Sequence, residues 1–326
     1  MTLVTLDELT LDLVDFLEFK RALGYPYKRG EATLQSFLHF VENEPGQHSP
    51  KQPKIELEST IQAWLSRIEG RKAVTVATDL GAVRQLCLFR RRRDPDSFVP
   101  EHALAPQTES VYFPYIFSHE EIRQLLAAAR RHQGRNIWAE MLHTLLLILY
   151  CTGLRFGEAV RLSLSDVDLN LARFYIRESK GRTRFVPFGA DLAQKINAYL
   201  VERTRIAIAA EYTETDALFI RRNGSPLTIC TASHAVRRLL RKLGLKPAQG
   251  RTGPRPYDFR HAYAVHRLTD WYHQGVDVHA RLPWLSAYMG HVNVLGTEVY
   301  LHATPELLQL ASARFEERVK CSGADR

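Results

Sequence analysis

Hydrophobic positions recur every three to four residues through most of the chain, which is the period of an amphipathic helix. Leu9, Leu13, Phe16 and Leu17 form the first stripe; it ends at Leu23-Gly24-Tyr25-Pro26, where Gly and Pro break a helix. A second stripe from Ala32 through Leu34, Phe37, Leu38 and Val41 stops before Pro45-Gly46, and residues 45–54 read as a polar, Pro-rich loop. Further helices are predicted around Ile55–Ile68 and Val74–Arg92, closing a bundle of about a hundred residues. Residues 94–114 carry four prolines and no periodicity. The predicted domains are therefore a helical domain at 1–105, a linker at 106–116 and a second domain at 117–326.

The second domain opens on Ser118 and Glu121, a capping-box pair, ahead of Ile122, Leu125, Leu126 and Ala129. A buried helix is predicted over Trp138–Thr152. The pattern then changes to period two in Ala172–Ile176 and Thr183–Pro187, which flank Ser179-Lys180-Gly181-Arg182 as the arms of a β-hairpin. Helices are expected again over Asp191–Tyr212, Ala232–Leu243, Phe259–Gln274, Leu282–Met289 and Pro305–Val319. The fold class is mainly α with one small antiparallel β-sheet. Trp138, Trp271 and Trp284 are expected to fill the core.

Charge changes the picture because it is uneven. Residues 1–105 hold 14 Lys+Arg against 15 Asp+Glu, whereas residues 106–326 hold 30 against 21. The net charge of +8 therefore lies in the second domain, where most of the cations are Arg, the side chain suited to bidentate phosphate binding. A solvated basic surface would account for this; a polyanionic partner accounts for it better, with nucleic acid ahead of membrane. The run Arg90–Arg93 suits either a helix C-terminus or phosphate contacts.

Several classes are excluded. The longest apolar run, Leu145 to Tyr150, is far short of the ~20 residues of a membrane helix. The acidic N-terminal segment lacks a basic n-region and does not read as a secretory signal. Cys87, Cys151, Cys230 and Cys321 stand apart with no C-x-x-C pair, which argues against structural zinc and suits a reducing compartment. A cytoplasmic protein is expected. His261 and His266 are five apart and no H-E-x-x-H is present, so no metal site is expected; no P-loop is present either.

The candidate chemistry lies in the second domain. Arg155 stands where the buried helix breaks at Gly153, although it could simply pair with Glu158 three residues on. Lys180 sits at the hairpin tip. Tyr257-Asp258-Phe259-Arg260-His261 opens a helix after a Gly- and Pro-rich stretch. Gly290-His291 is followed nine positions later by Tyr300.

In this order the segments TGLRFGE (152–158), ESKGRTRFVP (178–187), YDFRHAYA (257–264) and MGHVNVLGTEVYLH (289–302) resemble the tyrosine recombinase (phage integrase) family across the second domain. The last segment carries the resemblance furthest, with its M-G-H, a Thr six residues after the His and a Tyr nine after it. The N-terminal bundle is similar, more weakly, to the family's core-binding domain, and RLPWLSAYMGH (281–291) looks closer to integrases of transposons and other mobile elements. The resemblance implies an α+β catalytic domain beside a helical core-binding bundle, the two forming a C-shaped clamp on duplex DNA. It implies site-specific cutting and rejoining through a 3′-phosphotyrosine on Tyr300, with Arg155 and Arg260 on the phosphate, Lys180 protonating the 5′-oxygen, and His291 on the phosphate or the nucleophile. Glu158 would be the acidic support of the site. No cofactor and no metal is implied. The implied partners are double-stranded DNA and further copies of the chain, a tetramer in the synaptic complex and a monomer when free, with no membrane and no small-molecule substrate.

One position departs from the pattern. The family places His three residues before its second Arg, and here that residue is Tyr257. A phenol donates a hydrogen bond to phosphate but is a poor base at neutral pH. Tyr257 would then be a neutral phosphate donor, or His261 would substitute, or the enzyme would be slower or shifted in pH. Two other functions stay open on sequence alone: a topoisomerase-like nicking-closing enzyme of type IB, and a DNA-binding protein that has lost its chemistry.

Overall fold

The structure, a computed structural model, describes residues 3–43, 54–104, 106, 114–131, 137–179, 182–209, 215–250, 252–301 and 305–323. The chain divides into two compact units, Met1–Tyr112 and Phe113–Arg326. Most of the linker expected at 106–116 lies outside the described residues.

The first unit contains β1 (Leu3–Val4), α1 (Leu6–Ala22), α2 (Lys28–Glu42), β2 (Ile55–Glu56), α3 (Leu57–Ser66) and α4 (Ala73–Arg90). Helix α1 starts on a capping box: the Thr5 hydroxyl accepts from Glu8 N at 3.3 Å while the Glu8 carboxylate accepts from Thr5 N at 2.9 Å. Acidic residues in its first turn and Lys20 and Arg21 in its last suit the helix dipole. Leu9, Leu13, Phe16, Leu34, Phe37, Trp64, Leu80 and Val83 make the core, so the stripes predicted from spacing face one another. Two features go beyond the sequence pattern. Helix α2 begins at Lys28, earlier than its apolar stripe, and β1 pairs antiparallel with β2 through Leu3↔Glu56 and Val4↔Ile55. Two residues per strand are too few for a period-two pattern to register.

The Arg90–Arg93 run is held within this unit. Arg90 lies 3.4 Å from Asp12, Arg93 lies 2.6 Å from Asp15, and the Arg92 guanidinium sits 4.9 Å over the Phe19 ring. Arg91 donates to the Pro95 carbonyl.

The second unit contains α5 (His119–Arg130), α6 (Ile137–Thr152), α7 (Phe156–Val160), β3 (Val167–Asp168), β4 (Arg173–Ser179), β5 (Arg182–Pro187), α8 (Ala190–Ala209), α9 (Ile229–Lys242), α10 (Asp258–His273), α11 (Val278–Met289), α12 (Leu295–Glu298) and α13 (Pro305–Gly323). Ser118 caps α5 with Glu121 as expected. Helix α6 is the centre of the unit. Met141, Leu142, Leu145, Leu146, Ile148 and Leu149 are all buried, and α5, α8 and α10 pack around it. The hairpin β4–β5 pairs Phe174 with Val186 and Ile176 with Arg184, and β3 extends it to three antiparallel strands. The described residues thus form two small antiparallel sheets where one was expected. Trp284 corrects another expectation: it is 77% exposed, because α11 directs Leu282, Leu285 and Met289 into the core and turns position 284 outward. No helix among the described residues is long and apolar enough to cross a membrane.

The first unit's core cluster is separate from those of the second. Trp64→Ala is expected to destabilise the first unit by ~3–5 kcal/mol. Amide hydrogen exchange should then show protection falling in α1 and α3 and held in α6; equal loss in α6 would contradict independent cores.

Candidate active site

Five of the six residues singled out from sequence lie in described segments of the second unit; Lys180 lies outside the described residues. Three chain breaks position them. Helix α6 ends at Thr152, and Gly153 follows with φ +60°, a conformation that favours glycine. A Cβ there would also fall 2.3 Å from the Tyr263 ring. Helix α11 ends at Gly290 in the left-handed conformation, φ +71°, where a Cβ would meet the Arg184 guanidinium at 2.7 Å. Helix α10 starts at Asp258 directly after Tyr257.

These turns present backbone carbonyls to guanidiniums. Arg260 is 1% exposed; its Nη1 donates to the Gly153 carbonyl and its Nη2 to the Met289 carbonyl, both at 2.7 Å. Arg155 Nη2 donates to the next carbonyl, Gly290, at 2.6 Å. The Arg260 Nε is buried with no hydrogen-bond partner among the described residues. Arg260 also acts on Tyr300, holding the phenol lower than burial alone would.

The pairing of Arg155 with Glu158, the simplest reading of the sequence, is present at 2.7 Å. Glu158 is also held by a residue that sequence reasoning missed. Arg184, on β5, places Nη2 2.8 Å from Oε2 and Nη1 3.2 Å from Oε1, and its Nε donates to the Tyr288 carbonyl. One carboxylate, 2% exposed, thus lies between two guanidiniums. Alternation along β5 could have pointed to Arg184, since Val186, two positions on, is buried on the same strand.

His291 follows Gly290 directly. Its Nδ1 lies 2.7 Å from the hydroxyl of buried Thr297, the threonine six residues on. Burial pushes His291 down to about 4, helped by Arg260, Arg155 and Arg184, so the ring is neutral at pH 7. Tyr300 is 3% exposed; burial pushes its phenol up to about 12, and Arg260 and Arg155 pull the other way. Its ring lies 6.3 Å from that of His291, and its hydroxyl lies 3.1 Å from Nδ1 of His261. Tyr257 is 39% exposed and meets the edge of His261 at 5.1 Å between ring centroids. Arg155, Arg260, His291 and Tyr300 are therefore brought together, with Tyr257 at the rim. Among the described residues no cluster of His, Cys, Asp or Glu is arranged to hold a metal.

Chemically the arrangement is a phenol beside two carbonyl-anchored guanidiniums and two neutral imidazoles. It suits attack of the phenol on a phosphate diester whose non-bridging oxygens the guanidiniums hold.

Residues 116–306, more than half of the chain, match the Phage integrase family. The "Putative integrase/recombinase y4rB" of Sinorhizobium fredii (strain NBRC 101917 / NGR234) is 34% identical over 309 residues, covering 93% of this chain and 96% of that protein. "Tyrosine recombinase XerC" of Staphylococcus haemolyticus (strain JCSC1435) is 26% identical over 322 residues, 97% of this chain and 99% of that one. Among solved structures, the Tn1549 transposon integrase in complex with transposon right end DNA has the same fold, with a TM-score of 0.63 at 16% identity over 96% of this chain and 99% of that one.

Glu158→Gln removes the shared charge and leaves Arg155 and Arg184 facing an amide. A loss of ~3–5 kcal/mol is expected in urea unfolding, as for one partner of a buried pair; a loss under about 1 kcal/mol would contradict the bridge. The histidines set a pH dependence. Both His261 and His291 fall from an ordinary value near 6.5 to about 4. Between those values the unfolded chain takes up protons that the folded chain refuses, so stability falls as pH drops from about 6.5 to about 4. Thermal midpoints should decline through that window, and His291→Gln should flatten the decline; an unchanged slope in the variant would contradict the assignment.

Proposed function

The chain belongs to the phage integrase family of tyrosine recombinases, and we propose how its residues cut and rejoin DNA at a specific site. Tyr300 attacks the scissile phosphate of duplex DNA through its phenolic oxygen. The bond to the 5′-oxygen breaks, a 3′-phosphotyrosine forms, and the 5′-hydroxyl leaves with a proton from Lys180, whose role rests on the family resemblance. Arg155 and Arg260 hold the non-bridging oxygens and neutralise the charge that builds in the transition state; one such donor is typically worth ~3–4 kcal/mol. His291, held by Thr297, faces the same phosphate. Tyr257, at the rim, donates to phosphate without acting as a base. The phosphotyrosine conserves the energy of the broken bond, so rejoining needs no nucleotide.

The observation that carries this reading is the run Met289-Gly290-His291. Two consecutive carbonyls hold Arg260 and Arg155, and the next residue is the histidine that lies against Tyr300. The duplex would also meet the exposed Arg237, Arg238, Arg241 and Lys242 on α9, opposite that helix's buried Ala235, Val236 and Leu239. Phosphate contacts of that kind supply most of the affinity and a steep salt dependence. Exchange of strands between two duplexes calls for several copies of the chain, a tetramer in the synaptic complex, acting in the cytoplasm. The segment RLPWLSAYMGH, which resembles integrases of transposons and other mobile elements, supports an origin in such an element.

A pool of nicked duplexes with randomised sequence around the nick tests this without knowledge of the site, because the short cleaved fragment diffuses away and traps the intermediate. The wild type is expected to give a protein–DNA adduct on a denaturing gel. Tyr300→Phe should give none, and Arg260→Ala should lower the yield by roughly 10²–10³. An adduct that persists in Tyr300→Phe, or none from any member of the pool with the wild type, would contradict the proposal.

A further inference from the structure

His261 lies one helical turn beyond Tyr257 on α10, so the two face the same way. Tyr257 occupies the place where the resemblance leads one to expect a histidine. Its hydroxyl makes no hydrogen bond among the described residues, and its ring only edges against His261. His261 is the residue whose nitrogen reaches the Tyr300 hydroxyl, at 3.1 Å. On the other side of the imidazole, Nε2 faces an Asp258 carboxylate oxygen at 3.9 Å. That carboxylate is 1% exposed and is fixed by Arg255, whose backbone N–H donates to it at 2.7 Å. At 3.9 Å the carboxylate is beyond hydrogen-bond distance, but its charge on that side of the ring favours the tautomer with the proton on Nε2, which leaves the Nδ1 lone pair to accept from the phenol. Nucleophile and acceptor are thus in contact, with a carboxylate on the far side of the imidazole.

We propose that His261 is a catalytic residue that accepts the Tyr300 proton during attack, with Asp258 setting its tautomer. The proposal rests on Tyr300 being the nucleophile. As the phenolic oxygen bonds to phosphorus, its proton moves to Nδ1 of His261; the 5′-oxygen leaves with its own proton from Lys180, and both return when the strand is rejoined. The function of the missing histidine has in this chain moved one turn along the helix.

The charged surroundings decide when transfer happens. Burial pushes His261 down to about 4; Arg255 and Arg260 push the same way and Asp258 opposes them. His261 is therefore neutral and able to accept at pH 7. Tyr300, pushed up to about 12 by burial, scarcely ionises unaided, and Tyr257 raises it further. Burial disfavours the charged form of both groups, so the proton stays on the phenol in the resting site. The proton moves only as the oxygen–phosphorus bond forms and the phenol becomes strongly acidic, so DNA must be present for the nucleophile to be active. His291, the other imidazole near Tyr300, is engaged at Nδ1 by Thr297.

Two measurements test this. The tautomer of His261 is read in the free protein by nitrogen-15 NMR, with no DNA required. Nδ1 is expected unprotonated and its resonance should move in Tyr300→Phe; a proton on Nδ1 would overturn the proposal whatever the enzyme does with DNA. The second measurement follows adduct formation on a nicked duplex recovered from the wild-type adduct pool, from pH 6 to pH 9. His261→Ala is expected to slow the adduct roughly 10²–10⁴-fold at neutral pH. Its rate should then climb about tenfold per pH unit, since the phenol must lose its proton unaided, while the wild type stays nearly flat. His261→Asn, which keeps an acceptor near the Nδ1 position and cannot take a proton, should restore part of the loss and keep the climb. Adduct formed by His261→Ala at the wild-type rate, or slowed equally at every pH, would overturn the role of His261 while leaving Tyr300 as the nucleophile. Absence of adduct in the wild type would overturn the reading beneath it.

Discussion

Two guanidiniums, those of Arg155 and Arg260, stand close enough to repel one another, and the second unit is organised around that repulsion. Arg155 and Arg260 each donate to the last carbonyls of helices or to the turns that follow them: Gly153 after α6, Met289 and Gly290 at the end of α11. Helix ends leave such carbonyls without a partner in their own helix, and their partial negative charge favours a cation. The left-handed turns at Gly153 and Gly290 aim these groups, and the close contacts a Cβ would make at both positions show how little room there is. The buried Glu158 adds a full negative charge between Arg155 and Arg184. Arg260 nevertheless keeps one buried N–H unpaired. In the proposed reaction these fixed guanidiniums would meet the phosphate already in place, so little reorganisation would be left for the chemical step.

The same burial that steadies the guanidiniums works against ionisation of Tyr300, the proposed nucleophile. Tyr300 is nearly inaccessible and its phenol is held far from ionisation at neutral pH. A tyrosine in that condition is safe from adventitious chemistry and needs two things from a substrate, a phosphorus atom to attack and an acceptor for its proton. Its neighbours are matched to this state. The two adjacent imidazoles are both kept neutral by burial and by the nearby guanidiniums. Their hydrogen bonds differ: His291 meets Thr297, whereas His261 meets the Tyr300 hydroxyl itself.

Much of this was legible in the sequence because the signals were local. The stripes Leu9–Leu17 and Leu34–Val41 form the first core, Ser118 and Glu121 cap their helix, and the period-two segments pair as a hairpin. Arg155, Arg260, His291 and Tyr300 stand together because each follows a recognisable break or motif. What sequence did not give is longer in range. The pairing of β1 with β2 joins residues some fifty positions apart over two residues per strand. Arg184 gains its place only when β5 meets the end of α11, and the outward turn of Trp284 depends on which face of α11 the core takes. His261 is the sharpest case. In the sequence it is only one of three ways to meet the histidine absent at 257, and its contact with Tyr300 spans thirty-nine positions that no spacing rule connects.

In the proposed reaction the phenol of Tyr300 becomes covalently joined to DNA. Peptide mapping locates that bond: the trapped protein–DNA adduct is digested with nuclease and trypsin, and fragmentation mass spectrometry finds the residual nucleotide. A nucleotide phosphate is expected on Tyr300, within the peptide that begins at Leu282 and ends at Arg314. A nucleotide on Tyr257, on Tyr288 of that same peptide, or on any serine would contradict it.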